Sequence, residues 1–529
     1  MAFESLNTEF VQVNNRIMRL GTFGKPQEDF LESSIKEFID SPVRKAMLKS
    51  KAYYGNVTDI LEVKRTYIDR NGVAKENVNL SNTKLAHPFM RKLVNQKINY
   101  FLGTPPTFKT KSKDFGAIIK HYFNKQFYKK LNNVGREAIT KGIAWIQVYY
   151  NKDNQLTFKR IPSEEIIAFW EDSDHTILTG VIRFYDITEF KGDGTKYDIR
   201  KVEYHTVEGV WYYIMDSDGL QLDPDYQDRI DDTILSTEPN SHFTTEQIRV
   251  DNKGQIVVNS ETGESEIDNI KGNWSRVPFV AFKYNIEEQS LLSWIKSLID
   301  DYDKNTSDNS NVLQDIPNSI KVIKNYDGTN KEEFMANVAL FRMMFVGEDG
   351  GVDSIDTPVE VEGHEAHLTR LRKDIFAFGN GVDNQDEHTG DPSGVALEFL
   401  YEDLASDCKN IISEFDDSLE QLLWFIKIES LNVGTGDFLN EESEIIFNTE
   451  TIMNETELID NCAKSNNMPD IVSTKTVRAK HPWVNDIEEE TKRIDEDKAK
   501  AKLEEDQNMK DNLAIQASYA TESSNKGGF

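Results

Sequence analysis

Residues 394–432 form the longest uninterrupted helical pattern in the chain. Apolar side chains recur there at spacings of three and four residues, and neither glycine nor proline occurs between Gly394 and Gly434. This spacing is typical of one long helix with a single apolar face. The residues that define the face are Tyr401, Leu404, Cys408, Ile411, Phe415, Leu419, Leu422 and Ile426. We predict that this helix lies in the core along most of its length and ends near Gly434.

Two further helices are predicted on either side of a small insertion. The first, over 286–313, carries an apolar stripe formed by Leu291, Ile295, Leu298 and Tyr302. Beyond Tyr302 it is almost wholly polar, without a helix breaker. The second helix, over 362–378, carries the stripe Leu368, Leu371, Ile375 and Phe378. Between them we expect a strand at 319–323, a short helix at 331–340 and a second strand at 341–346.

The part of the chain before residue 286 is predicted to be rich in strands. Two short helices are expected over 26–54 and further helices over 84–142. Over 143–283, aromatic and β-branched residues alternate with polar turns, which indicates a succession of strands. A charged helix is expected over 486–510, with a loose tail from Ser518. The 529 residues are enough for three or four structural units, and the order of elements predicts an α+β fold.

Composition excludes several classes of protein. Asp and Glu (91) outnumber Lys and Arg (61), and a net charge of −30 argues against a protein that coats duplex DNA. The two cysteines, Cys408 and Cys462, fit no zinc or redox motif and indicate a reducing compartment. We find no apolar run long enough to cross a bilayer and no signal peptide, so a soluble protein without a membrane partner is expected.

The sequence contains no motif of a known catalytic or cofactor site. A phosphate-binding P-loop and a Gly-x-Ser-x-Gly motif are both absent. His364 and His367 stand three residues apart, whereas a zinc-binding helix needs a spacing of four. We therefore predict no enzyme activity, no cofactor and no metal site.

One stretch of the chain is basic. Residues 91–141 hold twelve Lys and Arg against two acids. Such a stretch could bind a polyanion, but the favoured interpretation is contact with an acidic surface of a neighbouring subunit, or of another protein of the same assembly.

The order of elements, together with several short segments, resembles the phage portal protein, the head-to-tail connector of long-tailed double-stranded DNA phages. The segments similar to that family are His87–Pro106, Leu298–Asp303, Val322–Gly328, Gly347–Asp353, Gly390–Tyr401 and Leu422–Ile426. They follow the order of the family and span most of the chain. The segment 433–505 matches more loosely, and the first 85 residues carry little information.

The resemblance implies a cyclic ring of, generally, twelve subunits at one capsid vertex, made in the host cytoplasm. Carried over by position, it implies an N-terminal region and wing (1–285), a first stem helix (286–313), a clip (314–358), a second stem helix (359–379), a tunnel loop (380–393), a long kinked helix (394–432), a crown (433–505) and a flexible tail (506–529). The implied partners are further copies of the chain, the terminase large subunit, a head-completion adaptor protein, scaffold and major capsid protein. Double-stranded DNA would pass through without sequence-specific binding.

Three groups of site residues follow from this assignment. The tunnel loop offers Asp383, Asp386, Glu387, His388 and Asp391 to the DNA, and the first stem helix offers Glu287, Glu288, Asp300, Asp301, Asp303 and Asp308. Acidic side chains along a DNA channel repel phosphates and let the duplex slide. Partner docking is assigned to the apolar clip residues Val338, Leu340, Phe341, Met343, Met344 and Phe345.

Two alternatives remain at this point. A different virion structural protein, such as a baseplate or capsid component, would lack the sequence of helix, clip, helix and loop. An acidic hydrolase that uses paired carboxylates is not excluded by composition, although no acid, base or nucleophile motif supports it.

Overall fold

The structure is a computed structural model. It describes residues 27–68, 72–77, 80–190, 194–216, 219–230, 234–248, 267–315, 320–324, 351–355, 361–383, 394–449, 455–468, 471–481, 483–484 and 487–524. The chain divides into a larger unit, with residues up to 385 and 403–450, and a smaller one, with residues 386–402 and 451–529.

Helices and strands alternate through the larger unit. The described helices are α1 Gln27–Asp40, α2 Pro42–Tyr54, α3 Phe89–Leu102, α4 Lys113–Tyr122, α5 Lys125–Lys141, α6 Leu292–Asp315, α7 Val361–Phe378, α8 Gly394–Asn432, α9 Glu455–Asn466, α10 Thr474–Lys480 and α11 Ile487–Ser524. Short 3₁₀ helices lie at Asp59–Glu62 and Ser163–Glu165.

The strands form antiparallel sheets. They are β1 Thr66–Ile68, β2 Ala74–Glu76, β3 Thr107–Thr110, β4 Ile143–Tyr150, β5 Leu156–Ile161, β6 Ile166–Trp170, β7 Leu178–Phe190, β8 Lys196–Thr206, β9 Val210–Asp216, β10 Gly219–Leu222, β11 Phe243–Ile248, β12 Ile267–Gly272, β13 Phe279–Lys283, β14 Ile320–Lys324, β15 Gly351–Ile355 and β16 Ser443–Ile446. The larger sheets have the orders β10-β9-β8-β7-β6 and β13-β4-β5, and the pairs β1-β2, β11-β12, β14-β15 and β16-β3 complete the set. These elements confirm the predicted α+β class.

Helices cover the two larger sheets with apolar side chains. Phe30, Leu31, Ile35 and Phe38 recur at helical spacing on α1 and pack in one cluster with side chains of the five-stranded sheet. Trp145 of the three-stranded sheet stacks on Trp170 of the five-stranded sheet, with ring centroids 5.9 Å apart. The two sheets therefore share a continuous core.

The prediction of one long helix is confirmed. Helix α8 runs from Gly394 to Asn432, and the residues of its predicted stripe from Leu404 to Ile426 are all buried. Phe415 contacts Phe101 of α3 and Phe282 of β13 edge-on, with ring centroids 5.3 and 5.0 Å away. In the described residues, no helix is both long and apolar enough to span a membrane.

Several predicted boundaries need correction. The first stem helix begins at Leu292 rather than at 286, and its buried stripe includes Ile299 instead of Leu298. The last helix continues to Ser524, so the predicted loose tail is helical over most of its length. In the insertion, the strand at 319–323 is confirmed by β14, but its partner is β15, which the sequence did not suggest. The predicted helix at 331–340 and strand at 341–346 lie outside the described residues.

A tight backbone crossing joins the end of α5 to the chain before α6. Gly142 has a φ of +92°, and its N–H donates to the carbonyl oxygen of Ala138 at 2.7 Å. A Cβ atom at Gly142 would lie 1.9 Å from the carbonyl oxygen of Glu288. Because both the conformation and the space admit only glycine, this residue fixes how the helix meets that segment.

We expect Gly142→Ala to lower the free energy of unfolding by about 2–4 kcal/mol, since a left-handed alanine would also collide with backbone. Gly194→Ala is the matched control, because Gly194 has a φ of +82° and open space around it. It should cost only about 1 kcal/mol. Urea denaturation at one protein concentration measures both, and equal losses would show that the crossing at Gly142 is not tight.

Candidate channel loop and its anchor

The predicted tunnel loop begins at the C-terminal end of α7, where Asn380 and Gly381 end the helix. Asn380 adopts the left-handed conformation (φ +47°), which asparagine tolerates better than most residues. The Gly381 N–H donates to the Phe376 carbonyl at 2.8 Å, and the Asn380 N–H donates to that of Ala377 at 3.2 Å. This pattern is a Schellman motif, which ends the helix and turns the chain.

The turned chain lies directly on helix α3. A Cβ atom at Gly381 would lie 2.2 Å from Cδ2 of the buried Leu93. The Gln96 side chain then pairs with the backbone of Val382 in both directions. Its Nε2 donates to the Val382 carbonyl at 2.7 Å, and its Oε1 accepts from the Val382 N–H at 3.2 Å. Gly381 therefore packs closely on α3, and two hydrogen bonds from the Gln96 side chain fix the backbone of Val382 beside it.

A buried ion pair completes this anchor. Lys97 is fully buried, and its Nζ donates to the Asn380 carbonyl at 3.0 Å and to Oδ2 of Asp407 on α8 at 2.6 Å. The Tyr284 hydroxyl donates to the same oxygen at 3.0 Å. Burial raises the pKa of Tyr284 well above its ordinary value and Asp407 raises it further, so the phenol remains a donor.

Cys408 follows Asp407 on α8 and points its thiol into the core. The thiol is buried, and burial raises its pKa to about 12, although the Lys97 charge acts in the opposite direction. A protonated, inaccessible thiol is not a nucleophile. Among the described residues, no group of three or more His, Cys, Asp or Glu side chains is placed to hold a metal ion. His367, which the sequence analysis considered as a zinc ligand, places its Nε2 atom 3.1 Å from Oδ2 of Asp301.

Asp383 does not fit the prediction of a DNA-facing acid. Arg372 of α7 donates to it twice, from Nε to Oδ2 at 2.5 Å and from Nη2 to Oδ1 at 2.8 Å. Lys92 of α3 lies 3.9 Å away, and only 10% of the Asp383 side chain is exposed. Its charge is neutralised within the chain. Asp386, Glu387, His388 and Asp391 lie outside the described residues.

The acids predicted to line the stem divide into two groups. Glu288 precedes α6 and contacts His175 Nδ1 at 2.6 Å, Asp300 pairs with Lys296 at 2.6 Å, and Asp303 is completely buried. These three bind partners within the chain, and Glu288 and Asp303 are too buried to fit the prediction that they face a channel. Glu287 and Asp308 are exposed and Asp301 is half-exposed, so these acids keep side chains that reach the surface.

Asp303 explains the polar half of α6. Its Oδ1 accepts from the His87 N–H at 3.1 Å, Ser307 Oγ accepts from the Leu85 N–H at 2.9 Å, and Asn311 Oδ1 accepts from the Thr83 N–H at 2.6 Å. Every fourth helix residue thus binds every second residue of an extended segment, because four residues of helix and two of extended chain have nearly equal lengths. The helix is polar here because it holds a backbone.

Sequence reasoning missed the anchor and counted Lys97 in a basic surface. Lys97 and Lys141 of the basic stretch are both buried and paired, Lys141 with Glu137 at 2.6 Å. The stretch is therefore not one continuous basic patch. A signal for Lys97 did exist, since it continues the spacing of four set by Leu93 and Phe101 on the apolar face of α3. The six apolar clip residues from Val338 to Phe345 lie outside the described residues.

Comparison with known proteins identifies the class. The sequence model of the family described as phage portal protein, SPP1 Gp6-like, matches residues 41–504. The chain is 28% identical over 465 residues to the portal protein of Bacillus phage SPP1, covering 88% of this chain and 86% of that protein. It is 27% identical over 475 residues to the portal protein of Clostridium phage phiCD119, covering 87% and 94%.

The solved structures that contain a similar chain include gene transfer agent (GTA) particles. A chain in the neck of the native GTA particle, computed with C12 symmetry, aligns with a TM-score of 0.34 and 10% identity over 75% of this chain and 90% of that one. A chain in the virion of the native particle aligns with a TM-score of 0.37 and 9% identity over 74% and 89%.

Because the family model covers most of the chain, this protein belongs to the phage portal protein family, SPP1 Gp6-like. Phage portal proteins are structural virion components at the capsid, and the predicted family is confirmed.

The anchor can be tested with a matched pair of substitutions on α3. Lys97→Met keeps the side-chain volume but leaves the mostly buried Asp407 without its cation, so we expect a loss of about 3 kcal/mol in the free energy of unfolding. Lys92→Met is the control, since the Lys92 side chain is 40% exposed and 3.9 Å from Asp383. Its loss should stay below about 1 kcal/mol.

Hydrogen exchange distinguishes the anchor from a general loss of stability. In Lys97→Met the Val382 amide should exchange faster by a larger factor than core amides of β4. A Lys97→Met/Asp407→Leu double variant should recover part of the lost stability, because the unpaired charge is gone. Equal effects of Lys97→Met and Lys92→Met would show that the buried pair does not hold the loop.

Proposed function

We propose that this protein forms the ring-shaped DNA channel at one capsid vertex, through which the genome is packaged and later ejected. The observation that carries the proposal is the family match over residues 41–504, supported by relatives named portal proteins along almost their whole lengths. We expect twelve subunits per ring, made in the host cytoplasm before assembly. The sequence-based alternatives of a baseplate component or a hydrolase receive no support from these comparisons.

In this proposal the ring does not drive the movement of DNA, and a partner protein supplies the energy for it. The terminase large subunit binds the ring and drives DNA by ATP hydrolysis, for which this chain has no P-loop. Scaffold and major capsid protein surround the ring during assembly. After packaging, a head-completion adaptor protein and the tail replace the terminase.

The charge of the chain suits a channel through which DNA slides. Each subunit carries a formal charge of −30, so a ring of twelve would carry about −360. A strongly negative bore does not bind phosphates, whereas each Lys or Arg contact would add affinity and friction. On α6, the acids that keep exposed side chains, Asp301 and Asp308, are the stem residues that we assign to the bore, together with Glu287 before the helix.

The tunnel loop is the part that we assign to direct contact with the moving duplex. Gln96 binds the start of the loop to α3, and the Lys97–Asp407 pair connects it to α8. The loop precedes Gly394, the first residue of α8. The ten residues 384–393 include Asp386, Glu387 and Asp391 and contain no Lys or Arg. With Asp383 neutralised by Arg372, these three acids are the ones that would repel DNA.

Docking of the terminase and of the adaptor is assigned to the clip. Strands β14 and β15 pair from Ile320↔Ile355 to Lys324↔Gly351, so residues 325–350 leave and return at one place. The segment between the two strands contains Val338, Leu340 and Phe341, and we assign these apolar residues to contacts with the partners or with the neighbouring clip.

The ring is tested by negative-stain electron microscopy of the purified full-length protein. We expect closed rings with a central channel, and analytical ultracentrifugation should show a species near twelve times the subunit mass of 60.7 kDa. A 60.7 kDa monomer in every buffer, with no rings on the grid, would contradict the proposal.

The tunnel loop is tested in a packaging assay with terminase. The triple variant Asp386→Lys, Glu387→Lys, Asp391→Lys should form normal rings but slow packaging by about tenfold or more, because each new ammonium attracts phosphate. The control carries the same change of charge at three exposed acids of the sheets and turns, Asp153→Lys, Glu171→Lys, Glu208→Lys, and should package at the wild-type rate. Normal packaging by the loop variant, with intact rings, would place the loop outside the channel.

A further inference from the structure

A polar cleft opens in the larger unit beside the edge where β4, β8 and β9 approach one another. Its volume is about 570 Å³, within the range of small-molecule sites in proteins. The charged and imidazole side chains that line it are Lys159, Arg183, Glu203, His205 and His242, and the rest of the lining is largely tyrosine and amide side chains. Neither the anchor nor the assigned channel surfaces include these residues.

A buried ion network forms the floor of the cleft. Arg183 donates from Nη1 to Glu203 Oε1 at 2.8 Å, and His205 Nε2 lies 3.2 Å from Glu203 Oε2. Burial opposes the charge of Glu203, but the contacts with His205 and Arg183 lower its pKa to about 2. Glu203 is therefore a carboxylate whose two oxygens are both engaged.

Two buried atoms of this network have no hydrogen-bond partner among the described residues. They are Arg183 Nε and His205 Nδ1, in side chains of residues that are 8% and 3% exposed. Glu165 lies 4.0 Å from Arg183 Nε, within ion-pair distance but beyond hydrogen-bond distance. Leaving such a group unpaired costs about 1–3 kcal/mol, so a partner that satisfies both atoms would bind favourably.

The two atoms need opposite hydrogen-bonding groups from that partner. Arg183 Nε–H is a donor and needs an acceptor. Because Glu203 is ionised, His205 directs its Nε2–H to it, and in the neutral ring Nδ1 is then an acceptor that needs a donor. A group that accepts at one oxygen and donates from another satisfies both.

The lining of the cleft carries two formal cations, Lys159 and Arg183, against one acid, and a second acid, Glu165, lies beside Arg183. Glu203 is the only acid among the described lining residues, and Arg183 already uses it. The pKa of Lys159 is lowered by burial and by the charge of Arg183, and the pKa of His242 is lowered to about 4 by burial and by His205, although nearby backbone carbonyls partly oppose this. In both groups burial disfavours the charged form, and an anion bound beside them would favour it.

We propose that this cleft binds hydrogen phosphate, with its oxygens accepting from Arg183 Nε and the Lys159 ammonium and its hydroxyl donating to His205 Nδ1. Hydrogen phosphate is an anion that retains one O–H at pH 8. Sulfate has the same shape and charge but no proton to donate. A site with a buried acceptor therefore discriminates between these two anions.

The test is isothermal titration calorimetry of the full-length protein at pH 8 with inorganic phosphate and, separately, with sodium sulfate. We expect phosphate to bind with a Kd of about 1 mM or tighter and sulfate at least about tenfold more weakly, since it leaves His205 Nδ1 unpaired. A nucleoside 5′-monophosphate distinguishes free from esterified phosphate. At this pH its phosphate is fully ionised, so it should bind as weakly as sulfate.

Lys159→Gln locates the anion without disturbing the buried network, because the Lys159 side chain lines the cleft and is far more exposed than Arg183 or His205. It should weaken phosphate binding about three- to tenfold. Lys152→Gln is the matched control, an exposed lysine of the β4–β5 turn that does not line the cleft, and it should bind like wild type. Absence of phosphate binding, equal affinity for sulfate, or equal effects of the two lysine substitutions would each overturn the proposal.

Discussion

The ion pair between Lys97 and Asp407 is the contact on which the arrangement of the central elements depends. It joins helix α3, the turn after α7 and the middle of α8 at one buried point. A charge at such a point cannot lose its partner without a large cost in free energy, because water does not reach it. The start of the loop is consequently fixed in position by electrostatics, while Leu93 and Gln96 determine how closely its backbone approaches α3.

The same logic governs the polar half of α6. Asp303, Ser307 and Asn311 occupy the positions that would be apolar in an ordinary amphipathic helix, and each accepts a backbone N–H from the segment 83–87. A segment without regular secondary structure needs partners for its buried N–H groups, and this helix supplies them. Asp303, the one acid of the three, is therefore used within the chain and is not available to a partner.

Much of the fold could be predicted because periodicity reports burial directly. The stripe from Leu404 to Ile426 defined α8, and the alternation of aromatic and polar residues indicated the sheets. The family could be predicted from the order of helix, insertion, helix, loop and helix together with short similar segments. The site residues could not be predicted to the same degree. Asp383 and Asp303 are chemically identical to the acids around them, and partners from other parts of the fold, such as Arg372 and the 83–87 backbone, distinguish them.

By itself the sequence determined the class of fold, the position of the long helices, the strong negative charge and the membership in the portal family. The tertiary structure decided which charged side chains are available to a partner. Arg372 neutralises Asp383 across eleven residues, and Lys97 pairs with Asp407 across 310. The fold forms both pairs, one across the end of α7 and one across most of the chain. The composition of a segment does not reveal either of them. The charge of a segment is a property of its residues, whereas the charge that it presents depends on what the fold places beside it.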